Sequence, residues 1–323
     1  MALLLGKPPT GKYLRPMRPS LIALLCVAAC AHFAPIPPNP VRPRLAPLAA
    51  ALDERLEQER GTVAIALVDL AGGDTLTRTA DLRFHAASTM KVPVLIELAR
   101  RVDAGATHWQ DSVDVENKFT SIADGSPFTL DAADDSDSTL YALAGTRVTQ
   151  RRLAELMITR SSNLATNILI ARLGPERVNA TAHRLGADSI EVRRGVEDGK
   201  AYAKGLNNTV TARDLMALLR AIANGRAASP VSTSEIVRIL AAQEFNDGIP
   251  AGLPAGTRVA HKTGEIIALM HDAAIVYPAG RAPYILVVLT RGYPERTAAA
   301  RVIADVSRLV YAALTAGAPP ATR

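Results

Sequence analysis

Thr62-Val63-Ala64-Ile65-Ala66-Leu67-Val68-Asp69 alternates small and branched apolar residues, the pattern of a buried strand. Gly72-Gly73-Asp74 follows as a turn into a second short extended run at 75–79, so the pair reads as a β-hairpin. Three more strand-like runs lie far away in sequence, at 258–262, 273–277 and 284–291, separated by Gly and Pro. Between the hairpin and these runs helical patterns dominate. Strands at both ends bracketing a helical middle predict an α+β fold. The terminal segments form one five-stranded antiparallel sheet flanked by helices, and the middle forms an inserted all-helical lobe with a cleft between.

The helical patterns cover 49–60, 90–102, 148–159, 164–173, 175–185 and 211–223, with a terminal helix from Pro294 to about Leu314. Ser232-Thr233-Ser234-Glu235 reads as a capping box opening a further helix to Ala242. The segment 124–137 is rich in Asp, Ser and Pro. It lacks the glycine and terminal glutamate of a twelve-residue calcium loop, so it reads as a solvated loop. Aromatic residues make up only 4% of the 323 residues against 48% hydrophobic overall, so the core is aliphatic. With 21% charged residues the composition excludes a wholly disordered chain.

The formal net charge is +6, but Lys7, Lys12, Arg15 and Arg18 lie in a leader, which leaves a near-neutral body without the basic face that nucleic acid requires. After that basic region comes an apolar run at 21–31, too short to span a bilayer and fitting a secretory signal. Val27-Ala28-Ala29-Cys30 resembles the lipobox of bacterial lipoproteins, with Cys30 the lipidated residue; the alternative is ordinary signal-peptidase cleavage near the same small residues. Residues 1–30 are thus expected as a signal, 31–48 as a Pro-rich tether, 49–315 as the folded domain and 316–323 as a tail. Cys26 and Cys30 are the only cysteines, which excludes a disulfide, a thiolate cluster or a cysteine nucleophile in the body. No metal or cofactor is expected, and the chain is expected to be monomeric.

Three short signals occur in order: Ser88-Thr89-Met90-Lys91, Ser161-Ser162-Asn163 and Lys262-Thr263-Gly264. Ser88 and Lys91 stand three apart at the opening of a predicted helix, which puts them on one face. A serine hydroxyl needs a base to become nucleophilic, and a lysine held neutral by burial can supply one. Backbone N–H groups at a helix start favour a developing oxyanion. Ser161 lies between two helical patterns, where its hydroxyl can relay protons, and Asn163 offers an amide to a substrate carbonyl. Lys262 and Thr263 present a cation and a hydroxyl to an anionic carboxylate.

With these motifs the sequence resembles the penicillin-recognising serine hydrolases, most closely the class A β-lactamases, over roughly residues 49–314. The resemblance implies that Ser88 is acylated, Lys91 is its base and Ser161 passes a proton to the leaving nitrogen. Asn163, Lys262, Thr263 and Gly264 then bind substrate, and the backbone N–H groups of Ser88 and Glu265 form the oxyanion hole. It implies a small β-lactam as substrate and a periplasmic location, membrane-anchored if Cys30 is lipidated. Three positions depart from the family pattern. Ser162 stands where Asp is common and is read as structural. His271 lies where a carboxylate-binding arginine is expected, and a packed or surface role suits it better than a ligand role. In the loop Arg194-Gly195-Val196-Glu197-Asp198-Gly199-Lys200-Ala201, Glu197 stands near the position of the water-activating glutamate, but Ala201 replaces an asparagine. Glu197 is therefore either general base or solvated loop acid, with Asp198 in reserve, and Asn207-Asn208-Thr209 closes the loop. The alternatives to a β-lactamase are a D-alanyl peptide carboxypeptidase or transpeptidase and a penicilloyl-binding sensor that does not turn over.

Overall fold

The computed structural model describes residues 43–316, so the signal region and Cys30 lie outside the described residues. In chain order the elements are α1 (Ala46–Glu57), β1 (Thr62–Asp69), β2 (Thr75–Arg78), β3 (Phe84–His85) and α2 (Lys91–Asp103). Next come β4 (Ser112–Asp114), β5 (Phe119–Thr120), β6 (Pro127–Phe128), β7 (Arg147–Thr149), α3 (Gln150–Thr159), α4 (Asn163–Leu173) and α5 (Pro175–Arg184). The chain continues through α6 (Gly199–Ala203), β8 (Thr209–Val210), α7 (Ala212–Ala223) and α8 (Pro230–Ala241). It closes with β9 (Arg258–Ile266), β10 (Leu269–Tyr277), β11 (Tyr284–Arg291) and α9 (Arg296–Thr315).

The sheet runs β2-β1-β11-β10-β9, with every pair antiparallel, so first and last segments join as expected. β1 pairs in register with β11, Thr62 opposite Arg291 and Asp69 opposite Tyr284. The alternation in β1 has a packing reason. Val63, Ile65 and Leu67 enter the core shared with α1 and α9, while Ala64, Ala66 and Val68 face the larger core of the helical lobe. Small residues on that second face leave room for α7 to lie close against β1. Both faces are covered, so the strand reads as a nearly continuous apolar run.

Several local expectations shift. Helix α1 begins at Ala46, and a single 3-10 turn, Pro43–Leu45, precedes it, so residues 43–48 belong to the folded body and not to the tether. Pro47 sits in the first helical turn, where a missing N–H costs nothing. Helix α8 starts at Pro230 and is capped by the Ser229 hydroxyl, which accepts from Ser232 N–H, so the expected capping box at 232–235 lies inside the helix. The true box is Thr211 with Asp214, opening α7. The strands β9 and β10 extend to meet in a tight hairpin at Ile266–Leu269, with Ala268 in the left-handed region at φ 57°.

Leu67 is fully buried on β1 against the α1–α9 layer. Leu67→Ala should cost about 2–5 kcal/mol by lost transfer energy and the residual cavity, read as a lowered urea midpoint with an unchanged m-value.

Candidate active site

Ser88 does not open an α-helix. It lies in a 3-10 turn, Ala87–Met90, that feeds α2, and Lys91 is the first residue of α2. In a 3-10 turn residues three apart eclipse each other, so Ser88 and Lys91 still share a face. Ala87 adopts φ 44°, which bends the chain so that Ser88 meets the cleft. Gly264 on β9 comes so close that a Cβ there would lie 3.1 Å from both Ser88 N and Thr89 N. A side chain at that position would crowd the Ser88 turn by a few tenths of an ångström.

Lys91 is fully buried, and its ammonium donates to Ser161 O at 2.6 Å, Ser161 Oγ at 3.1 Å and Asn163 Oδ1 at 3.0 Å. Burial pulls its pKa from the ordinary lysine range to about 7, against the opposing pull of the Asp135 and Glu197 charges. Lys262, also fully buried, donates to Ser161 Oγ at 3.1 Å and to Thr263 O at 2.8 Å. Burial and the nearby Lys91 charge press its pKa well below the usual range. Ser161 has φ 58°, which turns both its carbonyl and its hydroxyl toward the lysines. Both lone pairs of the Ser161 hydroxyl are then engaged, and only its proton is left to donate. Among the described residues, the Ser88 hydroxyl accepts from and donates to no other side chain.

The Asn163 amide bridges the two titrating sides of the site. Its Oδ1 accepts from Lys91 and its Nδ2 donates to Glu197 Oε1. Glu197, at φ 60°, is exposed, and its carboxylate lines the cleft and is held there by Asn163. Desolvation raises its pKa, reinforced by the Asp135 and Asp134 charges and opposed by the Asn163 bond. Glu197, Ser88 and Asn163 line one cavity of about 360 Å3. Ser88, Ser161, Thr263 and Gly264 line an adjoining one of about 700 Å3. Asp198, the reserve acid, accepts from Ser121 Oγ, Ile122 N and Ala201 N and caps α6, so its carboxylate is committed to the loop.

Two positioning residues, Asp135 and Asn167, depart from the sequence expectation. Segment 124–137 is not a free loop. Asp135 accepts from Asn163 N and Leu164 N at 2.9 and 3.0 Å, and from Tyr141 OH at 2.9 Å, capping α4 at the point where Asn163 starts it. Ser162 supplies the N-cap hydroxyl to Ala165 N at 3.3 Å, so the carboxylate at this helix start comes from the loop. Asn167, one turn beyond Asn163, clamps the Glu197 loop from behind. Its Oδ1 accepts from Val196 N at 2.6 Å and its Nδ2 donates to Val196 O at 3.0 Å, while a Cβ at Gly195 would collide with its amide. The spacing Asn163 to Asn167 on one helix face was the available signal. Asn208 ties the loop's base, accepting from Arg193 N at 2.8 Å and Arg194 N at 3.2 Å.

A serine on a strained turn, two buried lysines around a second serine, and an acid in a shared cavity define a serine hydrolase. The chain belongs to the β-lactamase enzyme family, whose model matches residues 47–314. It is 30% identical to β-lactamase AST-1 of Nocardia asteroides over 252 residues, covering 76% of this chain and 77% of that one. It is 27% identical to β-lactamase CTX-M-8 of Citrobacter amalonaticus over 304 residues, 92% and 97% of the two chains. Among solved structures, a β-lactamase from Sphaerobacter thermophilus superposes with TM-score 0.73 at 28% identity, covering 85% of this chain and 99% of that one. PBP-A superposes with TM-score 0.73 at 27% identity, covering 84% and 97%.

Asn167→Leu should strip both bonds to Val196 and leave two partly buried polar groups to water, lowering stability by about 1 kcal/mol. Amide exchange followed by mass spectrometry should then speed up in peptides spanning 194–199 and stay unchanged in those spanning 258–266.

Proposed function

We propose that the protein hydrolyses β-lactams through an acyl-enzyme on Ser88. The observation that carries this reading is the Ser161 hydroxyl held between two buried lysines, beside a cavity that Ser88 shares with Glu197. Ser88 Oγ attacks the lactam carbonyl while its proton passes to neutral Lys91. The C–N bond breaks, and the ring nitrogen takes the Ser161 proton, which the lysines replenish. A water then loses its proton to Glu197 and attacks the ester carbonyl, the bond to Ser88 Oγ breaks, and Glu197 returns that proton to Ser88 as the acid product leaves. The N–H groups of Ser88 and Glu265 hold the oxyanion in both steps. Lys262 and Thr263 bind the substrate carboxylate, whose negative charge restores the Lys262 ammonium that burial disfavours.

Lys91 acts in its neutral form, so acylation should rise with pH through about 7 and level off above it. Glu197 acts as carboxylate, and its raised pKa means that deacylation should fail on acidification sooner than an ordinary glutamate would allow. Intact-mass spectrometry with a penicillin tests both halves. Ser88→Ala should show no adduct. Glu197→Gln should accumulate one, with turnover lowered by roughly 10²–10⁴-fold, the usual worth of a general base. Wild-type adduct that never clears would instead mark a D-alanyl peptidase or sensor, and no adduct would refute acyl transfer.

Export follows from the leader, and lipidation at Cys30 from Val27-Ala28-Ala29-Cys30, which together would place the enzyme in the periplasm on a lipid anchor. Among the described residues no helix is long and apolar enough to cross a membrane. Radiolabelled palmitate incorporated by the full chain and lost in Cys30→Ala is the expected outcome.

A further inference from the structure

His271 stands on β10 directly opposite Gly264 of β9, the residue that touches the Ser88 turn. Its ring is fully buried, and the pairing of His271 with Leu289 is the end of the β10–β11 ladder. Thr290 N–H donates to His271 Nδ1 at 3.1 Å, and the Thr290 hydroxyl donates to Met270 O at 2.7 Å. Nδ1 also lies 2.9 Å from Met270 O, but a proton on Nδ1 would face the Thr290 N–H and leave a bare Nε2 against the His85 carbonyl. A backbone N–H can only donate, so Nδ1 is the bare nitrogen and Nε2 carries the proton. Nε2 then donates to His85 O at 3.0 Å.

His85 is the last residue of β3, two residues before the strained Ala87. Its ring Nδ1 accepts from Ala87 N at 3.0 Å, and Ala86 N donates to Asn208 O at 2.8 Å. The lead into Ser88 is therefore fixed on one side by β8 and on the other by His271. Phe84 adds an edge-on ring contact to His271, with centroids 5.6 Å apart. A continuous set of bonds runs from the β10–β11 ladder through His271 to His85, and from the His85 ring to Ala87.

We propose that His271 is a positioning residue that holds the Ser88 turn against the Lys262-Thr263-Gly264 strand and so sets the spacing of the Ser88 and Glu265 N–H groups. The inference rests on the acyl-transfer reading above and adds a residue to it. His271 touches no reacting atom. It acts through the His85 carbonyl, at a register position that it shares with Gly264.

Two substitutions separate its two bonds. Gln places an amide nitrogen near Nε2 and can still reach His85 O, whereas Asn places an amide oxygen near Nδ1 and can only keep the Thr290 bond. Single-turnover acylation by a penicillin, the infrared stretch of the acyl-ester carbonyl and the thermal midpoint are measured for wild type, His271→Gln and His271→Asn. His271→Asn should acylate roughly tenfold or more slowly, a fraction of what losing a whole oxyanion donor costs, with the carbonyl stretch moved to higher wavenumber. His271→Gln should keep both near wild type, whatever the two variants lose in midpoint. Equal acylation in both variants, or rates that follow the midpoints alone, would overturn the proposal. Amide exchange of residues 85–90 in the free protein needs no substrate. It should speed up in His271→Asn and not in His271→Gln, and the absence of that split refutes the positioning role even if the wild type takes no acyl group.

Discussion

Two lysine amines share one serine hydroxyl, with both lysines fully buried and each 3.1 Å from Ser161 Oγ. Removing such an amine in its charged form from water costs several kcal/mol even after relaxation. The surrounding structure returns part of this through four oxygens: Ser161 O, Ser161 Oγ, Asn163 Oδ1 and Thr263 O. The remainder appears as weakened proton affinity, which is what a lysine needs in order to serve as a base near neutrality. The three segments meet here because Lys91 comes from the start of α2, Ser161 from the α3–α4 turn and Lys262 from β9. A sheet edge on one side and a helical lobe on the other are what bring them together.

The sheet was readable because its strands obey a two-residue period on both faces, and β11 matches its expected limits of 284 and 291. The three motifs were readable because each is short and local. The acidic loop was not. Asp135 caps a helix 28 residues away in sequence from the backbone N–H that it meets, and nothing in a run of Asp, Ser and Pro distinguishes a cap from a solvated acid. The 3-10 geometry of the Ser88 turn was also hidden, because an i to i+3 spacing suits both helix types. His271 looked like a packing residue, and it is packed. Its two ring nitrogens acquire meaning only when β10, β11 and β3 are seen side by side.

The loop carrying Glu197 is held at three separate points: Asn167 behind it, Asn208 at its base and Asp198 beneath its short helix. Those bonds use side-chain amides and a carboxylate on backbone groups, which fixes the path of the chain without occupying the cavity. The family asparagine that is absent at Ala201 is therefore not needed to hold the loop. Ala201 is fully buried, and its N–H bonds to Asp198. Glu197 is then free to be held through its carboxylate alone, by Asn163.

That single amide links the two titrating groups of the site. Asn163 accepts from Lys91 and donates to Glu197, so its two ends match a charged lysine and a charged glutamate. In the proposed cycle, acylation requires Lys91 without its extra proton, and deacylation requires Glu197 without any. Burial raises the pKa of the acid and lowers that of the base, bringing the two proton affinities toward each other. In that proposed cycle a proton taken from Ser88 moves among Lys91, Ser161 and the leaving nitrogen at little cost. The acid across the cavity is left to the water. The same desolvation that makes the site expensive to fold matches its groups for exchange.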